Sequence, residues 1–238
     1  RFSGLLLLTC ALCQPSRLTN SLATLEQSPS LVSRRHEEDM HMTYEVIGAA
    51  TNRSFRVIWM LEEMGLEFTH HKVNPRSPEA KEFNPSGKVP VLKVGDDLIT
   101  DSAAIITYLA DKHGQFTYPA GSIERAKQDG LLHQILDELD AVLWTGARHG
   151  FILPEDKRVA EVKPSLRWEF ERNAKRIADR IEGPFLMGEK MTVPDFILVH
   201  CLNWAVGAKF DHSSDKLDDY AKAIRARPAF RRTRERAA

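Results

Sequence analysis

The chain has 238 residues, 42% of them hydrophobic and 28% charged, with 33 basic residues balanced by 33 acidic ones. That composition is globular and excludes a disordered, fibrous or membrane-filling chain. Zero net charge also removes any global field that would draw the protein to nucleic acid or anionic lipid, which leaves a small molecule as the default partner.

Near the start, the apolar run from Leu5 to Cys13 is too short to span a bilayer. It resembles a signal core, but no clear small-x-small cleavage site follows it. Residues 1–41 are therefore expected to be a disordered or non-native extension, with a targeting segment as the alternative, and the fold to begin near Met40 or Met42. Cys10, Cys13 and Cys201 are an odd set, which argues against a disulfide framework and for a reducing, cytoplasmic compartment. Cys10 and Cys13 form a CxxC, but it follows four leucines, with no second pair or histidines at ligand spacing. It is read as accidental, and no metal is expected.

From Tyr44 to Ile47 the residues read as a strand that ends at Gly48. Phe55, Ile58, Leu61 and Met64 then recur at helical spacing and Gly65 supplies a stop, predicting an amphipathic helix from Ser54 to Met64. An alternating segment from Phe68 to Val73 completes a β-α-β unit whose strands should pair in parallel. A short helix is expected from Ser77 to Phe83. After it, Val91 to Val94 and Leu98 to Thr100 form a hairpin around Gly95-Asp96-Asp97. Asp101-Ser102 opens a further helix with Ile105, Ile106 and Leu109 inward and Gly114 as its C-cap. The order is β-α-β-α-β-β-α in a mixed sheet.

A turn-rich linker from Phe116 to Gly121 follows, and beyond it the pattern is helical. Leu131, Ile135, Leu139 and Val142 make one apolar stripe; Leu166, Phe170, Ala174, Ile177 and Ile181 make another. Two domains of unlike class are expected, an α/β domain over residues 42–116 and an all-α domain over 122–238. The arginine-rich end, Arg225 to Arg236, reads as a solvated terminus that complements a helix dipole.

Two pairs carry candidate chemistry. Val89-Pro90 stands between a turn and a strand, where a cis bond would open the preceding backbone to a ligand and a trans bond would simply start the strand. Asp101-Ser102 stands at a helix start, where Ser102 can offer its hydroxyl and N–H to a carboxylate and Asp101 can meet an ammonium. The same residue types also serve as a plain N-cap. In Thr192-Val193-Pro194-Asp195-Phe196, Thr192 and Asp195 have capping-box spacing, a structural role.

The arrangement resembles the glutathione transferase superfamily over residues 43–238. The resemblance is carried by NPSGKVPVL (Asn84 to Leu92), Asp101-Ser102, RVIWMLEEMGLEF (Arg56 to Phe68) and TVPDF. It implies a cytosolic bacterial-type, zeta-, theta- or nu-like member, with a thioredoxin-like domain followed by a helical one. It implies a cytoplasmic, homodimeric detoxification enzyme with glutathione as co-substrate and a hydrophobic electrophile as second substrate, and no nucleic acid or membrane as partner. By the same resemblance Val89 pairs with the cysteinyl part of glutathione across a cis Val89–Pro90 bond, Asp101 and Ser102 hold the γ-glutamyl group, and Lys88 reaches the glycine carboxylate.

A thiol is mostly protonated at neutral pH unless its anion is stabilised. Counting back from Arg56, Thr51 stands at the family's catalytic position, Ser54 is the runner-up and Asn52 a possible second donor. No cysteine is present there, so glutathione itself must attack. Trp144, His149 and Phe151 are the expected lining of the electrophile pocket. Glutathione-dependent isomerisation, peroxide or disulfide reduction, or a non-catalytic binding module of the same fold, stay open.

Overall fold

A computed structural model describes residues 43–237; the CxxC and the expected extension lie outside the described residues. Four strands, β1 (Tyr44–Ile47), β2 (Phe68–His71), β3 (Val91–Val94) and β4 (Asp97–Thr100), form one sheet in the order β2-β1-β3-β4. β1 runs parallel to β2 and antiparallel to β3, which pairs antiparallel with β4. Three helices belong to this half: α1 (Ser54–Met64), α2 (Pro78–Phe83) and α3 (Ser102–His113). The order is the expected one, and with the helices that follow it makes a thioredoxin-like sheet half joined to an all-helical half. β2 ends two residues before the alternating pattern does, at His71.

The helical half contains α4 (Ile123–Ile135), a π-helical turn (Leu136–Asp140), α5 (Ala141–Ala147) and a second π-helical turn (Arg148–Ile152). It continues through α6 (Val162–Ala178), α7 (Val193–Ala208), α8 (Asp215–Arg225) and α9 (Pro228–Glu235). Both predicted stripes are buried throughout, from Leu131 to Val142 and from Leu166 to Ile181. Among the described residues no helix is long and apolar enough to cross a membrane.

α1 departs from the amphipathic expectation, because every residue from Ser54 to Leu61 is buried. α7 and α9 cover the face that the sheet leaves open. Trp59 packs against Phe196 of α7 at 4.4 Å and Phe230 of α9 at 5.0 Å between ring centroids, and Phe55 meets Phe230 at 5.1 Å. The arginine-rich end is correspondingly a helix packed through Ala229, Phe230 and Thr233, while Arg231, Arg232, Arg234 and Arg236 stay exposed as expected. Arg227 bonds Glu63 through both Nε and Nη2 at 2.7 Å, while Arg232 and Arg236 both reach Glu62. These three arginines are matched by two acidic residues on the last turn of α1. Sequence periodicity does not reveal such a match across the length of the chain.

The TVPDF box has the structural role expected of it. Asp195 accepts the Thr192 N–H at 2.7 Å, the Leu186 N–H at 2.9 Å and the Tyr220 hydroxyl at 2.6 Å, and so ties the start of α7 to α8. Burial pushes the Asp195 carboxyl up, against these hydrogen bonds.

Candidate functional site

The start of α1, the Val89–Pro90 segment before β3 and the start of α3 converge at one end of the sheet. Gly48 makes the convergence possible. Its φ is +137°, and an added Cβ would lie 2.1 Å from Ser54 Oγ and 2.9 Å from Val89 Cβ. Gly48→Ala is expected to cost about 1–3 kcal/mol or more, from overpacking on top of a backbone that L side chains avoid. The urea midpoint measures it, and an unchanged midpoint would mean that the convergence is looser than this.

Val89–Pro90 is cis. Val89 is half-buried and Lys88 exposed on the turn before it, where Lys88 O accepts from Asn84 Nδ2 at 3.0 Å. Asp101 caps α3, with Oδ1 accepting the Ala103 and Ala104 N–H groups at 2.8 and 3.1 Å. The plain N-cap reading therefore holds for one carboxylate oxygen, while Oδ2 has no partner among the described residues. Ser102 is buried, and its Oγ accepts from Arg56 Nη1 at 3.1 Å, which leaves its own proton free to donate.

The thiol-donor candidates differ sharply. Thr51 is exposed, and its hydroxyl has no partner among the described residues. Ser54 is fully buried beneath Gly48 and donates its hydroxyl to Asn52 Oδ1 at 2.8 Å. Asn52 Oδ1 also takes the Ser54 N–H at 2.9 Å, an Asx turn that leads into α1, and this asparagine keeps its amide hydrogens as donors. Tyr44 is buried, as its place in β1 suggests, and its hydroxyl meets His113 Nε2 at 2.9 Å.

Behind these residues lies a polar cluster that sequence reasoning missed. Arg56, 1% exposed, donates to Asp140 and Ser102, to His200 Nδ1 at 3.0 Å and to Cys201 Sγ at 3.6 Å. Arg53 donates to the same Asp140 through Nε at 3.2 Å and Nη2 at 2.5 Å. Burial alone would raise the Asp140 carboxyl, but the two arginines outweigh it and hold it at about 2. Burial, reinforced by Arg56, keeps His200 well below the usual imidazole range. A guanidinium can only donate, so Nδ1 is the acceptor and neutral His200 carries its proton on Nε2. Burial also pushes the Cys201 thiol up to about 12, which makes it inert.

One signal could have found this cluster. Asp140 sits between Leu136 and Leu143 at helical spacing, an acid on an apolar face.

Of the expected electrophile-pocket residues, Trp144 reaches the site, with Arg53 lying over its ring at 5.0 Å. His149 and Phe151 belong to the second π-helical turn, which bonds the loop after it and also meets the sheet half where Ile152 O accepts from Arg76 Nη1 at 3.5 Å. His149 Nδ1 accepts the Val159 N–H at 3.1 Å, and Phe151 is 68% exposed. Trp204, not foreseen, stacks on Arg53 at 4.8 Å. Among the described residues no group of three or more His, Cys, Asp or Glu side chains is placed to hold a metal.

The profile of the glutathione S-transferase N-terminal domain matches residues 52–112. The chain is 27% identical over 194 residues to the glutathione S-transferase DHAR2 of Arabidopsis thaliana, covering 76% of this chain and 82% of that one. It is 28% identical over 169 residues to elongation factor 1-gamma of Trypanosoma cruzi; that match takes in 68% of this chain but only 37% of the length of the relative. A glutathione transferase structure from Methylococcus capsulatus superposes with a TM-score of 0.71 at 26% identity, covering 81% of this chain and 97% of that one.

Proposed function

From a chain homologous to the glutathione S-transferase superfamily in general, with no one class singled out, we propose a glutathione transferase of the non-cysteine kind. It binds glutathione in the domain spanning residues 42–116, stabilises the thiolate and presents it to a hydrophobic electrophile at the cleft facing the helical domain of residues 122–238. The observation that supports the reading is the convergence of the cis Val89–Pro90 segment and the starts of α1 and α3 at one end of the sheet, with Thr51 exposed in the loop just before α1. Thr51 and the first turn of α1 stabilise the sulfur only in its charged form. Ser102 donates to the γ-glutamyl carboxylate while Asp101 Oδ2 meets the ammonium, and Lys88 takes the glycine carboxylate. Trp144 lines the electrophile side, and the protein works as a cytoplasmic homodimer.

Glutathione at a hundredfold excess over its Kd is expected to stabilise the protein by about 2.7 kcal/mol. Ser102→Ala should remove most of that increment. The increment, rather than the ligand-free Tm, is the readout, because the substitution also strips Arg56 of an acceptor. Thermal unfolding of the parent protein that ignores glutathione would sink the reading. It would favour the second one, a non-catalytic binding module, which the likeness to elongation factor 1-gamma keeps in play.

A further inference from the structure

We propose that Arg53 is a positioning residue: its planar guanidinium, clamped by the helical half, fixes the Thr51–Ser54 loop and thereby the donor that faces the glutathione sulfur. The consequence for sulfur rests on the transferase reading; the clamp itself does not.

Three groups of the helical half hold Arg53 in this loop. Asp140, at the end of the first π-helical turn, takes one edge of the guanidinium through Nε and Nη2. The rings of Trp144 in α5 and Trp204 in α7 lie 5.0 and 4.8 Å from Arg53 Cζ. His200, one turn of α7 before Trp204 and 6.4 Å from it between ring centroids, backs the clamp by accepting from the neighbouring Arg56 through Nδ1 at 3.0 Å. Ser54 is thus packed against Gly48 of the sheet half, while Arg53 beside it is held to the helical half by this clamp.

A flexible ammonium cannot reproduce the arrangement. Only a planar fork makes two directed bonds to a carboxylate while stacking on aromatic faces. The side chain is also dispensable for folding in a way that Asp140 is not, because Asp140 keeps its bond to the buried Arg56 when Arg53 is replaced.

The test compares Arg53→Gln and Arg53→Lys with the parent in two measurements. The first is amide hydrogen exchange of Asn52, Ser54 and Phe55 in the ligand-free protein, with Ile106 in α3 as the internal reference. Both variants are expected to exchange at those three amides roughly tenfold faster or more, with Ile106 unchanged. The second is the pH titration of the glutathione thiolate absorbance in the complex, expected to move up by about one pH unit in both variants. Unchanged loop exchange in Arg53→Gln would overturn the clamp. Faster exchange with an unmoved thiol titration would overturn the positioning role. Lysine matching the parent in both measurements would show that charge alone suffices and overturn the planar fork. If the parent binds no glutathione, the transferase reading falls with the sulfur part of the proposal, and the exchange arm still decides the clamp.

Discussion

Asp140→Asn is expected to destabilise the protein by about 3–5 kcal/mol, the range for removing one partner of a buried ion pair. The carboxylate neutralises Arg56, which is 1% exposed, and also carries Arg53, so its loss strands a buried cation. The acid limb of the stability curve follows from the same group. Its carboxyl lies at about 2 in the folded protein against 3.8 ordinarily. A depressed carboxyl contributes stability that is full above the unfolded value and fades as pH falls through the folded one, here about 2 kcal/mol lost between roughly pH 4 and 2. Equilibrium urea unfolding across that window should show the parent and Asp140→Asn converging as pH falls. A gap that stays constant from pH 5 to pH 2 would mean that Asp140 is not the titrating partner.

Thr51→Ala is expected to lower turnover by about 10²–10³-fold, as removal of one preorganised donor to a developing or stabilised anion does. Glutathione affinity should barely change, since the binding groups proposed above are Val89, Asp101 and Ser102. The contrast with its neighbours is structural. The Thr51 hydroxyl is exposed and unpartnered among the described residues, whereas that of Ser54 is buried and spent on Asn52. Ser54→Ala should therefore act mainly on stability, through its lost bond to Asn52, and Asn52→Ala should fall between the two. If Ser54→Ala abolishes turnover while Thr51→Ala leaves it intact, the donor has been misassigned.

The fold was largely legible because its signals are local. Gly65 and Gly114 end α1 and α3 in the left-handed conformation expected of C-caps, and Ser77 caps α2 through its side chain. β1 and α1 have the bounds that periodicity predicts. The missed features are those where distant segments decide the environment. Nothing local in Ser54–Met64 says that α9 will cover its outer face, and nothing local in the arginine-rich terminus says that Arg227, Arg232 and Arg236 will meet Glu63 and Glu62. The π-helical turn that ends at Asp140 hides within an unbroken apolar stripe from Leu131 to Val142.

The candidate site divides along the same line. Residues in short motifs, Val89-Pro90 and Asp101-Ser102, could be named from sequence. Arg53, His200 and Trp204 could not, because an arginine in a turn and a histidine and a tryptophan on a helix read as ordinary residues until the halves are assembled, and Asp140 gave only its place on an apolar face. Thr51, Asn52 and Ser54 fell between these cases. Sequence put all three in one loop but could not tell which hydroxyl the packing of Gly48 would bury.

The most direct test of thiolate stabilisation is the absorbance of glutathione bound to the parent protein, followed from pH 5 to pH 10. The account predicts half-ionisation well below the value of about 8.5 for an unperturbed thiol, with Thr51→Ala moving it back up toward that value. Bound glutathione that titrates like the free thiol in the parent protein would contradict it.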